Sequence, residues 1–452
     1  MSNLPEDAVD SSRPFPSMLL IALLAVGLAI SGAAPFLVVP ICLEHIPRPG
    51  LFGPLVDVIV GCMLFSSPLL GLLLAWLSSF GQFRSWNFIW LLGAWSTVPV
   101  ALISGRLERR ADVDMWMFTS AYAWTIAVLF MTLVLTLTRL SRTTTSRPFN
   151  PLFLFVFVVY GCAVGLGVTI WWLESQPELP WTMPEIDTVV ICCLVATGVL
   201  FLTVYGYVGR WSSRFLIEES STWTPSPGWL RRLRWLLLGG MPACVIIGAT
   251  SYVNTDLAPI PFWWLLPWTF YFVTWMVALS RMTHDRAFLS VWLAQILALP
   301  LLIPALLLAR ALDPHGTLQW GMAISLAAFL IAAFMPHFMT LAIQGALLAV
   351  VLLQLYSQLP FGLDWAILVH VSFSVVTCWG CHGDAVKHAA APDRLPDFLF
   401  FVIAGIFAGI IVYAFVVPRI FAMGPGPILE YTIAVVASVV IRVIPWPKSA
   451  SA

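Results

Sequence analysis

The string Cys378-Trp379-Gly380-Cys381-His382 is the most suggestive chemistry in this sequence. Two thiols three positions apart, followed at once by an imidazole, match the attachment pattern of a c-type haem, in which His382 would ligate the iron. Three features argue against that chemistry. Cys378 falls inside an apolar run, charge placement sets this end on the cytoplasmic side, and no second string of the kind accompanies it. A zinc site has no better basis, because zinc takes four ligands and none of the others stands at a telling spacing. No cofactor is expected. His382 and Asp384, with His388 nearby, read instead as a polar cluster at a helix end.

A second group of candidates consists of ionisable residues close to apolar runs, where burial is costly and must be compensated. Asp256, Glu430 and Asp364 are expected near the external ends of membrane spans, His370 lies inside one, and His337 sits at a break. Asp256 follows Thr250, Ser251, Asn254 and Thr255, so that helix end is unusually polar. The functional reading is a substrate or cation site, formed by Asp256, Asn254 and Thr255 at an unwound helix end, with Glu430 and His370 as further candidates. The plainer reading makes Asp256 and Glu430 capping acids and His370 a hydrogen-bonded bundle histidine.

The elements that must position these groups are membrane helices. Hydrophobic residues make up 60% of the 452 and charged ones only 10%, where a soluble domain carries about 25% charged. Apolar runs of roughly 17–25 residues recur along the chain, long enough to cross a hydrocarbon core of about 30 Å. They are continuous and not alternating, so helices satisfy the backbone and a barrel is excluded. The net charge is zero, which leaves no electrostatic footprint for nucleic acid. The eight cysteines are scattered through apolar runs and predict no disulfide framework.

The fold class expected is an all-α integral membrane protein, a polytopic helical bundle. Its spans lie near 17–41, 55–77, 86–104, 115–138, 151–173, 187–209, 234–252, 262–280, 288–310, 319–335, 337–357, 364–381, 397–418 and 428–444. That is about 14 helices, or 12–13 if neighbours such as 319–335 and 337–357 merge. With 14 spans and a cytoplasmic N-terminus, roughly 16 of the Lys and Arg side chains fall inside, against roughly 13 when 319–357 is one span. Arg442 and Lys387 count among those inside charges. The bias places both termini in the cytoplasm of a cell inner membrane. The organisation expected is a tail (1–16), a first bundle (17–209), a cytoplasmic linker (210–233) containing Pro225-Ser226-Pro227-Gly228, a second bundle (234–444) and a tail (445–452). The pairs Gly161/Gly165 and Gly405/Gly409 fit close helix packing.

Several short passages carry a family resemblance. These are Cys381-His382-Gly383-Asp384-Ala385, residues 392–398, Ala404-Gly405-Ile406-Phe407-Ala408-Gly409, Pro418, and Leu429-Glu430-Tyr431. Upstream, Gly248-Ala249-Thr250-Ser251-Tyr252 and Thr255-Asp256-Leu257-Ala258 belong with them. Residues 235–444 resemble the membrane half of the fused spermidine-synthase-like group, whose membrane fold is likened to major facilitator transporters. Asp384 stands where the group has Glu, and Thr432 where it has Pro. The group's synthase domain has no counterpart among these motifs, so the resemblance implies a shared membrane fold and no aminopropyl transfer. The expected function is a non-enzymatic, transporter-like membrane protein, moving a small cation or amine of unknown identity. The alternatives are an accessory subunit packed beside a membrane-protein partner and, last, a haem-binding redox subunit.

Overall fold

The computed structural model describes residues 18–44, 53–78, 87–107, 115–143, 183–215, 226–257, 265–280, 317–334, 337–357, 362–389, 394–417 and 427–444, with isolated positions between 158 and 169. Twelve α-helices run through these segments. They are α1 (Met18–Glu44), α2 (Gly53–Ser78), α3 (Asn87–Leu107), α4 (Met115–Thr143), α5 (Met183–Phe215) and α6 (Trp229–Tyr252). After them come α7 (Leu265–Ser280), α8 (Thr317–Phe334), α9 (His337–Tyr356), α10 (Leu363–Lys387), α11 (Leu395–Ile411) and α12 (Pro427–Val443). Wide π turns extend α6 through Val253–Leu257 and α11 through Val412–Val416. Seven of the helices are long and apolar enough to cross a membrane by length and composition, and shorter apolar helices lie within α3 and α11.

The expected span 288–310 lies outside the described residues, as does 151–173 apart from its isolated helical positions. Helix α8 ends at Phe334 and α9 begins at His337, and residues 335–336 between them lie outside the described residues. Helix α5 runs on to Phe215 and α6 starts at Trp229, which takes both ends of the expected 210–233 linker into helix. Exposed Trp229, Trp320 and Trp365 stand at the N-terminal ends of α6, α8 and α10. Such rings suit headgroup depth.

Helices α1 to α5 pack on one another, α4 touching each of the other four. Helices α6 to α12 form a second packed set in which α10 contacts α6, α7, α8, α9 and α12. The two sets meet where α11 lies against α2 and α4. Glycine sets the closest approaches. A methyl group at Gly405 would collide with the carbonyl of Leu236, and one at Gly239 with that of Val402. Gly161 and Gly165 likewise lie against the backbone of Ala29 and Ala33 in α1. With no hydrophobic drive between helices in lipid, such backbone contact is a main source of cohesion.

Candidate functional site

Val253–Leu257 continues α6 as a π turn, and it carries Asn254, Thr255 and Asp256. The expected unwound end after residue 252 is therefore corrected to a wide helical turn. Val253 explains the persistence of helix: it is fully buried in a cluster with Phe270, Val273 and Ile367, and its amide donates to Ala249 and Thr250 carbonyls. Single π turns of this kind recur at functional sites. Thr255 uses its hydroxyl on the carbonyl of Ser251, 2.8 Å away. Asn254 Oδ1 and Thr250 Oγ1 differ: both are buried and neither has a hydrogen-bond partner.

His370, on α10, is fully buried. Its Nδ1 lies 3.0 Å from the Tyr431 hydroxyl of α12, and its ring packs 4.8 Å from Tyr252 of α6. Its Nε2 has no partner. Gly248 makes this triangle possible, since a Cβ there would come 2.6 Å from the Tyr431 ring and 2.7 Å from the Tyr413 hydroxyl. Glu430 lies in the first turn of α12, half-buried, where a carboxylate also complements the helix dipole. The sequence thus pointed to His370 and Glu430, and missed the tyrosines packed around His370. Leu429-Glu430-Tyr431 held the signal, because a tyrosine beside an intramembrane histidine is a ready hydrogen-bond partner.

The Cys-His string lies deeper than expected. Helix α10 continues past the expected end at 381 to Lys387, which takes His382 and Asp384 into its last two turns, both buried. Cys378 and Cys381 are 1% and 0% exposed, sealed among Tyr271, Trp275 and Ile246. His382 stacks on Trp275 at 4.1 Å and meets Tyr271 edge-on. Thr274 donates its hydroxyl to the carbonyls of Phe270 and Tyr271, so its oxygen accepts from His382 Nδ1 at 2.9 Å. Nε2 is then left as a bare acceptor, without a partner.

Asp384 owes its burial to Arg442 of α12, whose Nε donates to Oδ2 at 3.0 Å. The same guanidinium donates to Gln344 at 2.6 Å and Thr340 at 3.0 Å, both on α9. Gln344 in turn donates to Thr377 and Ser438. Gly380 is the platform, since any side chain there would strike the guanidinium. Arg442, which the charge count simply placed on the cytoplasmic side, is thus a buried partner of Asp384. His388 caps α10 and donates from Nδ1 to the Asp384 carbonyl at 2.9 Å. Burial, the dominant influence, holds its imidazole below the ordinary value, and that hydrogen bond opposes it.

Two further acids escaped the sequence reading. Asp397 of α11 is fully buried and accepts from Arg232 of α6 at 2.7 Å and from Trp76 Nε1 of α2 at 2.8 Å. This joins the two helix sets through side chains. Asp187 of α5 is 1% exposed and accepts from the Tyr122 hydroxyl of α4. Both lie beside apparent loops in sequence, where an acid looks solvated.

Neither a family model nor a curated protein matches the chain. Among solved structures, the crystal structure of a major facilitator superfamily transporter, FucP, in the outward conformation is similar at 12% identity. The match covers 94% of this chain and 98% of that one with a TM-score of 0.39, a likeness too distant to bear on function. The spermidine-synthase-like resemblance accordingly rests on its short motifs alone. The helices themselves define the class: a multi-pass integral membrane protein of the lipid bilayer, helical throughout its described elements.

Proposed function

We propose that this protein is a transporter-like component of a cell inner membrane, with cytoplasmic termini, that moves a small cation or an amine. The observation that carries the reading is the polar π turn closing α6, with Asn254, Thr255 and Asp256 on it and Asn254 Oδ1 buried without a partner. A polar π turn at the end of a membrane-length helix is a local irregularity of the kind that recurs at functional sites. The motif resemblance across residues 235–444 supports a transporter-like fold.

Thermal unfolding of the purified protein against a panel of amines and metal ions tests the site. At least one should raise the unfolding midpoint of the wild type, and Asp256→Asn, which keeps shape and removes charge, should abolish the response. If nothing on the panel stabilises the wild type, or the variant responds equally, Asp256 is a capping acid and the reading fails. Reporter fusions at residue 452 and within 216–225 should both report cytoplasm. Opposite signals would refute the topology.

A further inference from the structure

Hydroxyls in these helices follow a rule: they turn back onto their own backbone. Thr125, Thr132, Thr138 and Thr203 each donate to the carbonyl four residues earlier at 2.7 Å, as do Ser325 and Thr432. Where no water competes, that is the cheapest way to satisfy a hydroxyl. Thr250 departs from the rule, as does Thr119 of α4, but of the two only Thr250 has a second unmatched oxygen one turn away among the described residues. Its oxygen is buried and makes no hydrogen bond, although the carbonyl of Ile246 stands at the customary position. Asn254, four residues on and so on the same helix face, has a buried amide oxygen that is equally unmatched. Two orphaned oxygens one turn apart, where the helix widens, would be a double penalty unless something else meets them.

We infer that Thr250 Oγ1 and Asn254 Oδ1 are ligands for a dehydrated monovalent cation, of the class of Na⁺ or K⁺. The inference rests on the transport-site reading above and deepens it. Hydroxyl and amide oxygens are hard, neutral donors, which suit alkali ions and exclude the soft metals that prefer sulfur or imidazole. The turn carries one acid, Asp256. Divalent ions such as Ca²⁺ are usually held by several carboxylates, and the sequence of this turn offers one. An organic ammonium presents the same charge to the same oxygens, so the experiment must separate the two.

Unfolding midpoints in NaCl, KCl, methylammonium chloride and choline chloride at equal ionic strength decide it, using the protein in nanodiscs. Na⁺ or K⁺ should raise the midpoint above choline, with stabilisation growing as the logarithm of concentration beyond saturation. Thr250→Val and Asn254→Ala should lose the response. Thr250→Ser, which keeps the hydroxyl, and Thr203→Val, on another helix, should retain it. A wild-type response equal to choline, or an undiminished response in Thr250→Val, overturns the assignment. Stabilisation by methylammonium alone overturns the alkali ion but leaves the transport site standing; stabilisation by none of these nor by the wider panel of amines and metals overturns both.

Discussion

The two sets of helices solve the same problem, cohesion within lipid, by different means. In α1 to α5 the polar contacts are mostly neutral: Trp95 donates to Thr132, Trp124 donates to Thr97, and threonines bond their own helix. The exception is Asp187, held by Tyr122. In α6 to α12, ion pairs and neutral imidazoles are carried inside. Arg442 with Asp384, Arg232 with Asp397, and the His370 and His382 clusters all centre on α10 and its neighbours. Neutral hydroxyl pairs are replaceable one at a time. A buried ion pair is not, because each partner makes the other's burial tolerable. The second set is thus the region built to tolerate polar groups, and it is also where the orphaned oxygens lie.

The largest expected effect comes from breaking a pair within the second set. Asp384→Asn or Arg442→Met leaves one buried charge unmatched and should cost about 3–5 kcal/mol in unfolding measurements. The double variant should recover much of that. If the single variants cost no more than Thr132→Val in α4, the contrast between the two sets collapses.

Next comes Gly405→Ala, which forces α11 away from the Leu236 carbonyl and should cost about 1–3 kcal/mol by overpacking. Gly93→Ala in α3, where an added methyl meets nothing within 4 Å, should be neutral or slightly stabilising. Trp76→Phe sharpens the comparison at the boundary. It removes the hydrogen bond from α2 to Asp397 while Arg232 remains, at a cost of about 1.5–3 kcal/mol.

The smallest effect is a pH dependence at His388. Its folded-state value is depressed by burial, so the unfolded chain takes up the proton first as pH falls. The stability it contributes is complete above the ordinary histidine value of about 6.5 and declines as pH drops below it. His388→Gln should flatten that part of a stability–pH profile.

Helix positions were legible because runs of apolar residues of membrane-spanning length have few other uses, and α1 to α4 fall close to where hydropathy placed them. Gly161/Gly165 and Gly405/Gly409 were legible for a similar reason: small residues at one-turn spacing describe a contact surface. Partnerships were not. Asp384 is 58 positions from Arg442 and Asp397 is 321 from Trp76, and no local pattern records which helices become neighbours. That the acid beside His382 is buried and paired went unread for a specific reason. Two glycines and an acid look like the exit from a helix, yet Gly380 is small so that Arg442 can lie across it, and that same arginine makes the acid tolerable inside.

That partnership also has a schedule. Arg442 is synthesised 58 residues after Asp384. At about 5–20 residues per second, α10 waits roughly three to twelve seconds for α12 to emerge. Throughout that interval the carboxylate has no guanidinium to neutralise it. The nascent chain must keep α10 beside water or the insertion machinery, or hold Asp384 protonated, until its last described helix arrives. Assembly of the second set is then gated by translation itself, and a ribosome stalled between α11 and α12 would leave an acid stranded at the membrane for quality-control proteases to find.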